Sequence, residues 1–140
     1  MDDLFHFGKQ ALAAQPFSVL VGTELLSFAP GRAALKVAIC ERLQQQYGFV
    51  HGGVIAYLAD NALTFAGGSV LGPAVVMSEF KINYLRPGLG EALIARAAVV
   101  YSGRTQAVCR CEIFVLRGEE ELLCAAAQGT IKKMNQIGGN

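Results

Sequence analysis

VHGGVIAYLADNALTFAGG, residues 50–68, decides how this chain is read. It opens on His51, Gly52 and Gly53, then runs through apolar side chains with one carboxylate, Asp60, in the middle. Residues 52–66 are rich in alanine and leucine and hold no proline. Gly67-Gly68 follow as a C-terminal stop, so the stretch predicts a helix over 52–66. Val54, Ile55, Ala56, Leu58, Ala59, Ala62, Leu63, Phe65 and Ala66 fall on every side of that helix, not on one stripe. A helix that is apolar all round is expected to be buried all round.

The flanking segments say what buries it. Upstream, LFHFGKQALAA (4–14) suits a short amphipathic helix ended by Pro16. VGTELLSFAP (21–30) and GRAALKVAIC (31–40) are strand-like, joined by the turn signal Ala29-Pro30-Gly31-Arg32. Leu35, Val37 and Ile39 alternate with Ala34, Lys36 and Ala38, the pattern of a half-buried strand. The polar ERLQQQYG (41–48) leads into the helix. Downstream, AVVMSEFKINYLRP (74–87) puts Ser78, Phe80, Ile82 and Tyr84 on one face and Glu79, Lys81 and Asn83 on the other. EALIARAAVVYSG, TQAVCRCEIFVLRG and ELLCAAAQGTIKK follow, after turns at Pro87-Gly88-Leu89-Gly90, Ser102-Gly103-Arg104 and Arg117-Gly118-Glu119. Links this short favour antiparallel neighbours. One helix meets apolar groups on all sides only if a sheet wraps it. The expected class is α+β, a curved, mostly antiparallel sheet around one long central helix.

Composition narrows the function. The 140 residues suit one domain over 1–140, and an apolar share of 53% supplies a sizeable core. A net charge of +1 gives no basic face for nucleic acid. The start, MDDLFHFGKQ, lacks a signal-peptide pattern. No run approaches the roughly 18 to 20 apolar residues of a membrane span. A cytoplasmic protein with neither nucleic acid nor membrane as partner is expected. Cysteines at 40, 109, 111 and 124 form no C-x-x-C and are expected to be buried, reduced thiols. Two histidines far apart in sequence make a zinc site unexpected.

Two features carry chemistry. Asp60 on a buried helix is costly unless it has a partner or a role. It is either a solvent-facing or loop-bonded acid, or a general base or nucleophile lining a cleft. His51-Gly52-Gly53 is either an ordinary turn into a helix, or an open backbone whose first N–H groups, at the positive end of the helix dipole, hold a developing oxyanion. Asp60 lies nine residues after His51, roughly 13 Å along the axis and half a turn around it. Reacting groups must sit about 3 to 3.5 Å apart. If both features act on one centre, they come from two copies of the chain, which predicts a two-fold dimer with shared sites. Other motifs fail. Leu71 replaces the last glycine of a G-x-S-x-G elbow, and no Walker loop, G-x-G-x-x-G or H-E-x-x-H occurs. Arg86, Arg104, Lys132 and Lys133 end strands or turns, as surface charge or as phosphate contacts.

YGFVHGGVIAYLAD followed by NALTFAGG resembles the hotdog-fold acyl-CoA thioesterases of the phenylacetic-acid-degradation (PaaI-like) type. VVMSEFKINYLRPG and VYSGRTQAVCRCEIFV are similar to that family's next strands, and the likeness covers roughly residues 15–132. The resemblance implies hydrolysis of an aromatic or medium-chain acyl-CoA by a homodimer, or by a tetramer of two dimers. It implies no cofactor beyond the coenzyme A of the substrate, and no metal. It matches Asp60 to the catalytic acid, Gly52 to the N–H that polarises the carbonyl, and His51 to the neighbour shaping that loop. Gln45 stands where relatives often carry an asparagine that places the water or the carbonyl. Ser78 matches a hydroxyl that positions the water in some relatives. Gly53, Gly103 and Arg104 match substrate contacts. Tyr57, Phe65 and Met77 are either acyl-pocket or core residues. The alternatives are a hotdog enoyl-CoA hydratase or dehydratase, or a non-catalytic acyl-CoA-binding protein.

Overall fold

The structure, a computed structural model, describes residues 2–135. Helices α1 (Asp2–Ala13) and α2 (Pro16–Val21) precede strands β1 (Thr23–Ala29) and β2 (Arg32–Ala38). A 3-10 turn at Glu41–Leu43 leads to the long helix α3 (Gly52–Leu71). Strands β3 (Val75–Tyr84), β4 (Ala92–Ser102), β5 (Gln106–Arg117) and β6 (Glu120–Lys133) follow. The six strands form one sheet in the order β1-β2-β4-β5-β6-β3, antiparallel at every pairing. The sheet curls around α3. Ile55, Leu58, Ala59, Leu63 and Ala66 of the helix pack in one core with Leu35, Val37, Leu93, Cys109, Ile113 and Ile131 of the sheet.

The curvature has a local cause. The ladders shift register at Leu25/Ser27, Met77/Glu79, Val99/Tyr101 and Ile113/Phe114. An extra residue in one strand bends it and raises its twist, which flat strands cannot do. The bulge at Ser78 also corrects the predicted face. Met77, Phe80 and Ile82 pack on the core and Ser78 is exposed in the bulge, whereas Tyr84, in step with Phe80 and Ile82, is exposed because it ends the strand.

Other expectations are revised. The N-terminal helix ends at Ala13, and Pro16 opens α2 at its first position, where a missing N–H costs nothing. α3 runs past Gly67-Gly68 to Leu71. A Cβ at Gly67 would stand 2.6 Å from the Ile131 Cβ, so this glycine lets β6 close on the helix. The extended α3 has the length and composition of a membrane span, contrary to expectation, but it lies inside the sheet. The link between β3 and β4 is no hairpin. It crosses the end of the sheet, with Leu85 N–H bonding Cys124 O (2.9 Å) and Glu91 N–H bonding Leu116 O (2.8 Å). A Cβ at Gly90 would meet Leu116 O at 2.2 Å, so the crossing needs glycine there. Three cysteines are buried as expected, with burial raising Cys109 to about 11 and Cys111 to about 12, but Cys40 is exposed.

α3 is not covered all round. Gly53 is exposed, and Ala56, Asp60 and Thr64, spaced three or four apart along one stripe, are half-buried. Strand β3 lies at an edge of the sheet and pairs only with β6. Among the described residues, the open stripe and the β3 edge are surfaces of the fold without a partner, and β1 is the sheet's other edge.

Candidate active site

His51 caps α3. Its φ of −62° and ψ of 136° are extended, and its Nδ1 accepts the Gly53 N–H at 2.8 Å. A Cβ at Gly53 would stand 2.9 Å from that Nδ1, so a side chain there would push the imidazole off its cap. His51 N–H in turn donates to Leu43 O at 2.9 Å, which ties the cap to the preceding turn. With Nδ1 occupied as acceptor, the neutral ring carries its proton on Nε2. Gly52 is the first residue of the helix, so its N–H has no partner within it. Among the described residues no other backbone acceptor takes that N–H either. Tyr84 OH donates to Gly52 O at 3.3 Å, bringing the end of β3 over the helix start. A pocket of about 350 Å³ opens there, lined by Val50, Gly52, Tyr84, Arg86 and Pro87 among others. Gln45 belongs to the loop before the cap. Its Oε1 accepts the Tyr47 N–H, and its backbone N–H donates to Phe49 O at 2.9 Å.

Asp60 sits half-buried on the open stripe of α3. Thr64, one turn on, donates to the Asp60 backbone O at 2.8 Å and lies 3.3 Å from Oδ1. Burial raises the carboxyl above its ordinary value, and the Thr64 hydrogen bond partly opposes it. Burial thus makes the carboxylate more basic than a solvated one, which suits an acceptor of a proton. Asn61 is buried and faces away. Its Nδ2 donates to Gln15 Oε1 (3.2 Å), Ser18 Oγ (3.3 Å) and Tyr57 OH (3.2 Å). Ser18 donates to Gln15 Oε1 (2.5 Å) and accepts from Tyr57 OH (2.6 Å), so this cluster anchors the N-terminal helices beside the acid.

Within one chain the predicted residues fall into separate places. His51, Gly52, Gly53 and the Gln45 loop gather at the start of α3. Gly52 and Asp60 lie on one unbroken helix, about 12 Å apart along its axis. Ser78 occupies the β3 bulge with its side chain exposed. Gly103 and exposed Arg104 turn the β4–β5 hairpin, whose β5 end pairs with the end of β6, where β3 begins. Tyr84, beside Gly52, is at the other end of β3. Of the pocket candidates, Phe65 stacks edge-on against Phe28 at 5.2 Å, Tyr57 is tied into the Asn61 cluster, and Met77 packs on the core. Sequence reasoning missed Thr64, although its position four after Asp60 on a helix signals the contact. It also missed Tyr84 as a site residue, because nothing local shows that β3 returns over the helix start.

Comparison with known proteins follows the same lines. Residues 47–122 match the sequence profile of the Thioesterase superfamily. The chain is 31% identical over 120 residues to acyl-coenzyme A thioesterase PaaI of Escherichia coli, covering 85% of this chain and 81% of that protein. It is 27% identical over 106 residues to 1,4-dihydroxy-2-naphthoyl-CoA hydrolase of Listeria monocytogenes, covering 74% and 85%. A crystal structure of a thioesterase family protein from Silicibacter pomeroyi superposes with a TM-score of 0.89 at 31% identity, covering 94% of this chain and 98% of that one.

Proposed function

The chain belongs to the thioesterase superfamily and has its hotdog fold, and on that premise we propose that it hydrolyses acyl-CoA thioesters at a site built by two subunits. The observation that carries this is the pairing of two half-sites on one helix. A half-buried acid lies on the open stripe of α3, and an unpartnered N–H lies at its start, too far away to share a substrate atom. A second copy, related by a two-fold axis and set against the open stripe and the β3 edge, supplies the missing half to each. Two sites per dimer result, and further pairing of dimers into a tetramer leaves that number unchanged.

The chemistry needs only these groups and water. In one form Asp60 takes a proton from water as its oxygen attacks the thioester carbonyl. In the other the carboxylate attacks directly, and water cleaves the resulting anhydride. In both, negative charge grows on the carbonyl oxygen, where the partner's Gly52 N–H donates to it. Collapse of the adduct so formed breaks the C–S bond and the coenzyme A thiolate leaves, taking up a proton; in the second form this precedes hydrolysis of the anhydride. His51, with Nδ1 engaged, keeps the amide turn in shape. Gln45 and Ser78 are the polar groups proposed to place the water, and Gly53, Gly103 and Arg104 those proposed to meet the coenzyme A.

A panel of acyl-CoAs with free-thiol detection tests the reading, and enoyl-CoA hydration without thiol release would contradict it. The same assay gives a pH prediction. Only ionised Asp60 acts, so kcat/KM is expected to fall with decreasing pH along a limb shifted upward from that of an ordinary aspartate, because burial raises this group. The Thr64 bond favours the ionised form. Thr64→Val is therefore expected to move the limb to higher pH, and a limb that stays put or moves lower contradicts the assignment.

A further inference from the structure

A groove of about 480 Å³ runs between α1 and α3, walled by Leu4, Phe7 and Ala11 on one side and Phe28, Thr64 and Phe65 on the other. Its volume lies within the roughly 300–1,000 Å³ of pockets that enclose a small organic ligand. Leu4, Phe7 and Ala11 are spaced three and four apart, so they form one face of α1 and make a roof. Phe7 is 48% exposed although that face turns inward to the groove, so the roof is short of an apolar partner. The edge-on pair Phe28 and Phe65 makes the floor. The roof is held at two points. A Cβ at Gly8 would stand 2.6 Å from the Phe28 ring, which fixes how closely α1 lies on β1. The Gln15–Ser18–Asn61 cluster pins the far end to α3.

We propose that this groove takes the acyl group of the substrate, and that α1 sets the size of acyl group accepted; this rests on the thioesterase reading. Continuity with the acid supports it, since Thr64 lines the groove and lies 3.3 Å from the Asp60 carboxylate. The lining also identifies the occupant. Among the described residues no charged side chain lines it and its only polar side chains are the neutral Gln15, Asn61, Thr64 and Ser69, so it offers no cation to the phosphates of coenzyme A and a mostly apolar wall to a neutral chain or ring. Selectivity then resides in an N-terminal element that contributes no reacting group.

The test compares acetyl-, octanoyl- and palmitoyl-CoA on the wild type and two roof variants. Ala11→Phe fills the groove and is expected to lower kcat/KM for octanoyl-CoA by about tenfold or more, with acetyl-CoA changed less than about threefold. Phe7→Ala opens the roof and is expected to raise the palmitoyl-to-octanoyl ratio by about fivefold. Changes of equal size at every chain length, or unmoved ratios, overturn the proposal. Should Ala11→Phe fail to fold, the exposed Phe7 position decides alone. The two levels of the argument fail differently. A wild type that cleaves none of the three thioesters, nor others in the panel, sinks the thioesterase reading. A wild type that cleaves them with ratios indifferent to Phe7 sinks only the role of α1 and leaves the groove to a second copy or another segment.

Discussion

Asp60→Asn is expected to lower kcat for acyl-CoA hydrolysis by about 10²–10⁴-fold, the range in which a positioned base contributes. The substitution keeps the shape of the side chain and removes only its ability to ionise. Stability is the control. Burial raises the Asp60 carboxyl in the folded state. A carboxyl with a folded pKa above its unfolded value binds its proton more tightly when folded. Its stabilising contribution is therefore present below the unfolded pKa and is lost as pH rises through the folded one. At neutral pH the ionised acid weakens the fold, so the asparagine variant is expected to melt no lower than the wild type. Loss of activity with unchanged or higher melting temperature assigns Asp60 to chemistry. Full activity in the variant removes it.

Gly52→Pro isolates the other half. The first position of a helix is where proline is best tolerated, since its missing N–H has no helical partner. The residue before a proline must be extended, and His51 already is, at φ −62° and ψ 136°. The nearest atom to an added Cβ is a Tyr84 ring carbon at 3.5 Å, an ordinary contact. Proline therefore fits the fold and deletes the N–H. We expect kcat to fall by about 10²–10³-fold, as when one oxyanion donor is lost. Gly52→Ala adds the same Cβ and keeps the N–H, so it is expected to stay within a few-fold of the wild type. Equal losses in both variants would assign Gly52 to packing instead.

The central helix and its wrapping sheet were legible because the apolar pattern of residues 52–66 admits no other burial. Its extent was not. A glycine pair reads as a stop by local chemistry, and only the approach of Ile131 shows that Gly67 is there for contact. The register of β3 was lost at Ser78 because a bulge leaves no mark in an alternating pattern. The place of β3 at the far edge was hidden because strand pairing is decided by distant segments, and a seven-residue link fits either a hairpin-like neighbour or a crossing. The apolar pattern also overstated burial. A stripe that a partner copy would cover looks the same in sequence as one that the chain covers itself. For the site, the spacing from His51 to Asp60 already contained the two-chain argument, and the unbroken α3 keeps that spacing. Thr64 was readable from helix geometry, whereas the Gln15–Ser18–Asn61 cluster joins residues more than forty apart and has no local signature.

The shared site is tested most directly by mixing the two inactive chains. Asp60→Asn keeps the N–H of Gly52, and Gly52→Pro keeps the acid. A hybrid dimer then has one site with both intact groups and one with neither. With equal amounts and random exchange, half the dimers are hybrids, and activity is expected to recover to about a quarter of the wild type. A mixture shown by two affinity tags to contain hybrids, yet no more active than the sum of its parents, would contradict a site built from two chains.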